Sequence, residues 1–262
     1  MKIVHFNSGL GNQIFQYMFS VYLKNKYNNV YGYYNKKWLN LHNGLEIHKV
    51  FECELPKSSL FSRLIAFLCR LIHRMDYFHL FYSTDDSYSS CAIYYSGYWQ
   101  DRKYFESLPK LKFIKYNLNP LNDEICKTMK GCMSVSIHVR RGDYLTTKEI
   151  VDLSSTDYYD RAVKFIEEHL PCPVYFIFSD DMEWVKNNIH VDNCHYIDWN
   201  KGVDSFFDMY LMSQCKAHII ANSSFSFWGA YLSDNNRINI YPSSWFTHLP
   251  SPNIAPENWI CI

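Results

Sequence analysis

The first 45 residues of this 262-residue sequence contain no aspartate or glutamate, and the first carboxylate is Glu46. The chain opens with a short apolar strand over residues 2–6, a turn that contains Gly9 and Gly11, and a helical pattern of apolar residues. A nucleotide-binding βα unit begins in this way. A dinucleotide site would also need a third glycine, where Ile14 stands, and an acidic residue about 20 positions after the turn. Because both are missing, the sequence argues against an NAD-dependent dehydrogenase.

A net charge is also lacking, since 26 Lys and Arg residues balance 26 Asp and Glu residues. This balance argues against a protein that coats nucleic acid, because nonspecific binding to phosphates grows with the number of basic contacts. Hydrophobic residues make up 48% of the chain, which argues against intrinsic disorder and is enough to build a core of ordinary size.

No Cys-x-x-Cys pair occurs among the nine cysteines, so neither a zinc ribbon nor a redox motif is predicted. The odd cysteine count and the lack of a secretory leader pattern predict a cytoplasmic protein with free thiols. The longest apolar run in the middle of the chain covers residues 64–69, far short of the roughly 20 residues that span a bilayer. The sequence therefore predicts a protein that is soluble or bound at a surface.

Aromatic residues are abundant, with 7 Trp, 22 Tyr and 18 Phe making up 18% of the chain. Aromatic rings pack in cores, and they also stack on sugars and bases, so this composition leaves both uses open.

The segment 57–82 has the pattern of a basic amphipathic helix. One side of that helix would carry Arg63, Arg70 and Arg74, and the other would carry Leu64, Phe67, Leu68, Leu71 and Ile72. Two interpretations are open: a surface helix packed on the core, or peripheral docking on an anionic membrane. The second would hold the protein on the inner face of the membrane.

The second half alternates predicted strands with predicted helices, which indicates a mostly parallel sheet covered on both faces. The expected strands are 134–139, 174–178, 195–197, 217–221 and 238–241, and the expected helices are 157–170, 182–189, 204–215 and 225–232. Ligands bind at the carboxyl ends of such strands, so the residues that follow each strand are the candidates for function.

Charged and polar residues follow three of these strands. Arg140 and Arg141 come after the first, and an arginine fork suits a diphosphate. Asp180 and Asp181 come after the second, where carboxylates can accept from guanine, from ribose hydroxyls or as helix N-caps.

After the strand 217–221, four small polar residues stand in five positions: Asn222, Ser223, Ser224 and Ser226. Such a helix start can cradle an anion, and Gly229 would let the helix pack close to the sheet. Because no Asp-x-Asp occurs, we expect the Arg pair rather than a divalent metal to balance a diphosphate.

Taken together, these blocks resemble glycosyltransferase family 11, the α-1,2-fucosyltransferases. The turn GLGNQIFQY at 9–17 looks like that family's opening motif, and HVRRGDY at 138–144 looks like its H-x-R-R-G-D-Y signature. FSDD at 178–181, the segment 221–229 and the pair Tyr158-Tyr159 match its later blocks. No block matches over about 32–130, and we expect acceptor choice to lie there.

The resemblance implies an α/β, GT-B-like fold with two Rossmann-type lobes facing a cleft. Residues 1–130 would form the N-terminal, acceptor-side lobe with the glycine turn 9–13, and residues 131–262 the GDP-fucose-binding lobe. The activity it implies is an inverting, metal-independent transfer of L-fucose from GDP-β-L-fucose to the 2-hydroxyl of a terminal β-galactoside. The acceptor would be a galactose-terminated oligosaccharide or a lipid-linked glycan of the cell envelope, with no cofactor and no nucleic acid partner.

By the same resemblance, Arg140 would bind the β-phosphate as the catalytic cation, and Asp143 would orient an arginine or act as the base. The other implied donor-binding residues are Gly9, Gly11, Asn12, Gln13, His138, Arg141, Asp180, Asp181, Asn222, Ser223, Ser224, Phe225 and Ser226. The aromatic residues in or beside the matched blocks are candidates for the acceptor: Tyr144, Tyr158, Tyr159 and Trp228. Two other hypotheses stay open, a transferase of the same fold with another nucleotide sugar or linkage, and a non-catalytic glycan-binding protein.

Overall fold

The computed structural model describes residues 1–74, 81–85, 88–235 and 237–262. It divides into two compact units, Met1–Ile114 (unit 1) and Lys115–Ile262 (unit 2). Within the described residues, no helix is both long enough and apolar enough to cross a membrane. All nine cysteines are free thiols, and three of them are buried, Cys69, Cys126 and Cys215.

Unit 1 is built on a parallel sheet of four strands in the order β2-β1-β4-β3. Its strands are β1 (Lys2–Phe6), β2 (Val30–Tyr34), β3 (Tyr82–Ser83) and β4 (Tyr94–Tyr95). Its helices are α1 (Leu10–Lys24), α2 (Lys36–Leu39), α3 (Ile47–Val50) and α4 (Leu60–Arg74), followed by a 3₁₀ turn at Arg102–Tyr104.

The two long helices of unit 1 cover opposite faces of this sheet, because successive side chains of β1 alternate between faces. Val4 and Phe6 pack with Phe19 of α1, whereas Ile3 packs with Ala66 of α4. The α1 side is dominated by aromatic rings, and the Phe19 and Trp99 rings stack with their centroids 4.0 Å apart. Most aromatic residues of unit 1 therefore build its core.

Helix α4 turns its small residues toward the sheet. Ser62, Ala66 and Cys69 are buried, while Leu64 and Phe67 are 56% and 58% exposed. The helix is thus packed on the core, as one interpretation predicts, but with its large apolar side chains pointing outward. The predicted segment 57–82 also includes residues 75–80, which lie outside the described residues, as does the side chain of Arg74.

Unit 2 is built on a parallel sheet of six strands in the order β10-β9-β8-β5-β6-β7. Its strands are β5 (Met133–Val139), β6 (Pro173–Ser179), β7 (Cys194–Ile197), β8 (Ala217–Ile219), β9 (Ile238–Tyr241) and β10 (Ile260–Cys261). Its helices are α5 (Pro120–Gly131), α6 (Tyr158–His169), α7 (Met182–Asn188), α8 (Phe206–Gln214) and α9 (Ser224–Tyr231), with 3₁₀ turns at Asp143–Thr146, Leu153–Ser155 and Gly202–Asp204.

These two parallel sheets, each with helices along it, confirm the predicted α/β class with two Rossmann-type lobes. The strands and helices expected between 134 and 241 are all present, with ends within about two residues of the predicted ones, the precision usual for such boundaries. The chain divides after Ile114 rather than between residues 130 and 131, because α5 packs against α8 and β5 in unit 2. Gly229 makes its close approach to Met212 of α8. The expectation that Gly229 lets the helix pack close to the sheet is therefore wrong.

Candidate active site

The strand order of unit 2 creates a switch point beside β5. From β5, the chain builds outward through β6 and β7 on one side and then returns to add β8, β9 and β10 on the other. In open α/β sheets, ligands bind where the order reverses, outside the carboxyl ends of the strands. Val139 pairs with Ser179, and Ile137 pairs with Ile219, so the segments after β5, β6 and β8 emerge side by side.

Arg140 lies at the centre of this edge and is held by two carboxylates. Its Nη2 is 2.7 Å from Asp143 Oδ1, and its Nη1 is 3.0 Å from Asp180 Oδ2. A Cβ on residue 142 would lie 2.6 Å from that same Asp180 oxygen, so Gly142 is needed for the carboxylate to reach the arginine. The Arg140 side chain is one-third exposed, which leaves it accessible to a ligand.

Arg141 has a different environment and is largely enclosed. Its Nε donates to Asp181 Oδ2 at 3.0 Å, its Nη1 donates to Ser154, and its guanidinium lies 4.3 Å from the centre of the Trp184 ring. Asp181 also accepts from the Trp184 N–H at the start of α7, and both contacts lower the pKa of its carboxyl group. Arg141 and Asp181 therefore stabilise this edge of the sheet. The sequence carries no local signal for Ser154 and Trp184, which meet Arg141 only in the fold.

The charges of the site do not add up to a positive patch. Arg140 and Arg141 face three carboxylates, those of Asp143, Asp180 and Asp181. These carboxylates offset the charge of the two arginines, and the strand register brings Asp180 and Asp181 beside them. These two contacts leave other N–H donors of the Arg140 guanidinium available to an anion.

His138 and Asn222 are buried beside Arg140, at the ends of neighbouring segments. Burial and the nearby Arg140 charge lower the pKa of His138 to about 4, so this imidazole is neutral at pH 7. Asn222 donates through Nδ2 to the carbonyls of Val151 and Trp245, at 2.8 and 3.2 Å. In the described part of the chain, His138 Nδ1 and Asn222 Oδ1 have no hydrogen-bond partner.

The serines before and within α9 mainly build the helix start. Ser223 Oγ accepts from the Phe225 N–H at 3.3 Å as the N-cap, and the Ser226 hydroxyl is fully buried against the Ala221 and Ser223 carbonyls. This burial contradicts the predicted contact of Ser226 with the donor. Ser224 is half-buried and stays a candidate ligand, together with Phe225, whose ring centre is 6.0 Å from that of His138.

Of the four aromatic candidates for the acceptor, three are core residues. Tyr158, Tyr159 and Trp228 are all buried, and the two tyrosine hydroxyls donate to the backbone carbonyls of Ile220 and His138, respectively. The prediction that these residues contact an acceptor is therefore wrong, since their rings fill the interior behind the strand ends.

Tyr144 is the fourth aromatic candidate and differs from the others. It is half-buried, its hydroxyl donates to the Asn222 carbonyl at 3.2 Å, and its ring centre lies 5.6 Å from the Arg140 guanidinium. Tyr144 is thus the aromatic candidate that the structure brings beside Arg140.

The glycine turn of unit 1 is held by its own polar side chains. Gln13 is fully buried, donates to the carbonyls of Ser8 and Gly44, and accepts from the N–H groups of Glu46 and Ile47. All of its hydrogen-bonding capacity is used within the unit, which contradicts the predicted donor contact of Gln13.

The other residues of that turn have mixed surroundings. Asn12 donates to Ser8 Oγ and accepts from Gln100, while Gly9 caps α1 and Gly11 is buried inside the helix. Gly9 and Asn12 remain half-buried, so a donor contact through them stays a prediction, whereas Gly11 is buried.

The model of glycosyl transferase family 11 matches residues 1–262, the whole chain. The chain belongs to glycosyl transferase family 11. In this family 11 chain, the H-x-R-R-G-D-Y block, the Asp pair and the serine-rich helix start converge on one edge of the sheet in unit 2, because β5 pairs with both β6 and β8.

Relatives of this family 11 chain include two proteins from Escherichia coli. It is 38% identical over 185 residues to an alpha-1,2-colitosyltransferase and 34% identical over 177 residues to the O-antigen biosynthesis glycosyltransferase WbnK. These matches cover 65% and 63% of this chain but only 63% and 59% of the two relatives. It is also 31% identical over 141 residues to human galactoside alpha-(1,2)-fucosyltransferase 1, covering 49% of this chain and 38% of that protein.

Two solved structures are similar to the family 11 chain over its length. The E. coli ADP-heptose LPS heptosyltransferase II has a TM-score of 0.46 at 12% identity, covering 100% of this chain and 90% of that one. A glycosyl transferase of family 9 from Veillonella parvula has a TM-score of 0.43 at 9% identity, covering 99% and 84%.

Proposed function

We propose that this family 11 protein transfers L-fucose from GDP-β-L-fucose to the 2-hydroxyl of a terminal β-galactoside, with inversion at the anomeric carbon. The observation that carries the proposal is the position of Arg140, one-third exposed at the switch point and held by Asp143 and Asp180. The E. coli and human relatives, named as α-1,2 transferases, support the linkage.

In this reaction, the acceptor oxygen forms a bond to C1 of the sugar and its proton passes to a general base, while the bond from C1 to the β-phosphate oxygen breaks. The transition state is oxocarbenium-like, and negative charge grows on the departing GDP. A guanidinium already aimed at that oxygen stabilises the charge without reorganisation. We assign this role to Arg140, which Asp143 and Asp180 hold in position through two of its guanidinium nitrogens.

The remaining donor contacts follow from the surroundings of Arg140. Ser224 and the free N–H groups in the first turn of α9 would support the diphosphate, because a helix start offers amide donors without an added charge. His138, neutral at pH 7, would lie near the guanosine with Phe225. We infer that transfer needs no divalent cation, because the guanidinium and these amide donors would supply the counter-charge.

The colitosyltransferase relative favours a second candidate, transfer of colitose instead of fucose. Colitose is L-fucose without its 3-hydroxyl, so the two donors differ by one hydroxyl group. A site that hydrogen-bonds this hydroxyl rejects the deoxy sugar strongly, whereas an apolar pocket discriminates weakly. Comparing the rates with GDP-fucose and GDP-colitose decides between them.

The proposal predicts that Arg140→Ala lowers kcat by roughly 10²–10³, because one preorganised cation at the leaving group is lost. The measurement is release of GDP together with mass spectrometry of the product, using a panel of β-galactosides and an arm with EDTA. Linkage analysis then identifies the hydroxyl that is modified.

The matched control is Arg161→Ala, which removes an exposed guanidinium that pairs with Asp157 on α6. Thermal unfolding verifies that both variants are folded. Full activity of Arg140→Ala would overturn the role assigned to Arg140, and no transfer from either donor to any galactoside would overturn the proposed function.

A further inference from the structure

The outer face of α4 is an exposed apolar surface that the proposed function does not use. We call it the apolar face of α4. It consists of Leu60, Phe61, Leu64, Phe67, Leu68 and Leu71. Single exposed apolar side chains are ordinary on soluble proteins, but six on one face of a 15-residue helix form a contiguous patch, and such patches mark interaction sites.

The way α4 packs on its own sheet keeps this face outward. Ser62, Ala66 and Cys69 are the buried positions, and they allow a close approach to the strands of unit 1. Arg70 is fixed at the side of the helix, where its Nη1 donates to the Tyr33 hydroxyl at 3.0 Å. Turning the leucines inward would place large side chains where Ser62, Ala66 and Cys69 now lie against the strands.

The described charges on the helix and just before it are basic. Between Glu54 and Asp76, the sequence contains four basic residues and no acidic one. Lys57 and Arg63 are exposed beside the apolar face. An isologous contact between two copies would bring together two surfaces that are both positive. An anionic bilayer, in contrast, offers an apolar interior below a negative surface, and this surface attracts basic residues that lie close to it.

From this combination we propose that α4 docks the protein on an anionic membrane surface, lying in the plane of the interface with its apolar face among the acyl chains. A helix of this length is about 22 Å long, and an interfacial helix of this kind sinks about 5–10 Å into the boundary of headgroups and chains. The inference stands on the geometry of unit 1 and does not depend on the proposed donor or acceptor.

Flotation of the full chain with lipid vesicles tests the proposal. We expect binding to vesicles of phosphatidylcholine mixed with phosphatidylglycerol, and much weaker binding to phosphatidylcholine alone. The double variant Leu64→Ser/Phe67→Ser should lose at least about tenfold in partitioning, since two large apolar side chains no longer enter the bilayer. Arg63→Gln should lower binding several-fold and reduce its dependence on salt.

The matched control is Leu121→Ser/Leu249→Ser, which removes two apolar side chains of unit 2 that are 52% and 63% exposed. This control should float like the wild type, and urea unfolding verifies that both double variants are folded. Failure of the wild type to bind the mixed vesicles would overturn the proposal, as would unchanged binding of Leu64→Ser/Phe67→Ser. Sedimentation that showed a dimer lost in that variant, without lipid binding, would assign the face to a second copy instead.

Discussion

Asp143 and Asp180 both hold Arg140, but the Asp143 carboxylate is the more exposed of the two, at 60% against 25%. An exposed ion pair contributes little to stability, so the contact between Asp143 and Arg140 orients the guanidinium more than it stabilises the fold. This geometry favours the first of the two roles left open for Asp143, that of a positioning residue.

For Asp143→Asn, we therefore expect kcat to fall roughly tenfold, because Arg140 is less well aligned, while the shape of the pH–rate profile is unchanged. Steady-state kinetics over the accessible pH range provides the measurement. Asp157→Asn, which weakens the exposed pair with Arg161, is the control and should behave as the wild type. Loss of one limb of the profile in Asp143→Asn would instead show that Asp143 removes the proton from the acceptor.

At the scale of elements, α9 depends on one glycine where it packs against α8. A Cβ on residue 229 would lie 2.9 Å from the Met212 Cβ, closer than packed side chains approach. We expect Gly229→Ala to lower the free energy of unfolding by about 1–3 kcal/mol, because the two helices must move apart. Donor binding should weaken too, since α9 begins at the candidate site.

Gly131→Ala is the matched control in urea unfolding. A Cβ there would meet no atom within 4 Å, so its effect should be near zero or slightly stabilising. Equal effects of the two substitutions would contradict the packing argument.

The strands and helices between residues 134 and 241 could be predicted from sequence, because short apolar or alternating segments take turns with longer ones and α6 has a distinct apolar face. The sequence patterns did not predict α5 or β10. The orientation of α4 could not be predicted either, because periodicity separates two faces without saying which of them meets the sheet. The face of α4 that meets the sheet is decided by how Ser62 and Ala66 fit against the neighbouring strands.

The candidate site was also predictable only in part. Sequence identified the segments after β5, β6 and β8, and the strand order brings them together. It could not foresee that Tyr158 and Tyr159 lie behind the strand ends, or that Gln13 bonds within its own unit. These outcomes depend on the register and on side-chain partners that are distant along the chain.

At the scale of the whole molecule, buried ionisable groups make stability depend on pH in opposing ways. The pKa of His5 in unit 1 and of His138 in unit 2 is lowered from 6.5 to about 4 by burial. As the pH falls from 6.5 toward 4, these histidines bind protons in the unfolded chain but stay neutral in the folded protein. The free energy of unfolding therefore decreases. Burial raises the pKa of Asp208 from 3.8 to about 7. The folded protein therefore binds this proton more readily than the unfolded chain does, and the contribution of Asp208 to the free energy of unfolding increases as the pH falls from about 7 to 3.8.

We therefore expect the loss of stability between pH 6.5 and pH 4 to be shallower in His138→Gln and steeper in Asp208→Asn than in the wild type. Urea unfolding at several pH values measures the three slopes. Parallel slopes would mean that neither group changes its protonation on unfolding.

The pairing of β5 with β8 has a further consequence for how unit 2 folds. Ser136 Oγ and His218 Nδ1, 2.8 Å apart across this pair, are separated by 82 residues of chain. Closing so long a loop loses chain entropy before the contacts between the two strands can compensate for it. Parallel pairings of this kind therefore form slowly. We therefore expect the β5–β6 pair to form before the β5–β8 pair, so that the segments after β5 and β8 come together late. On this expectation, a slow step decides when each newly made molecule acquires its candidate site.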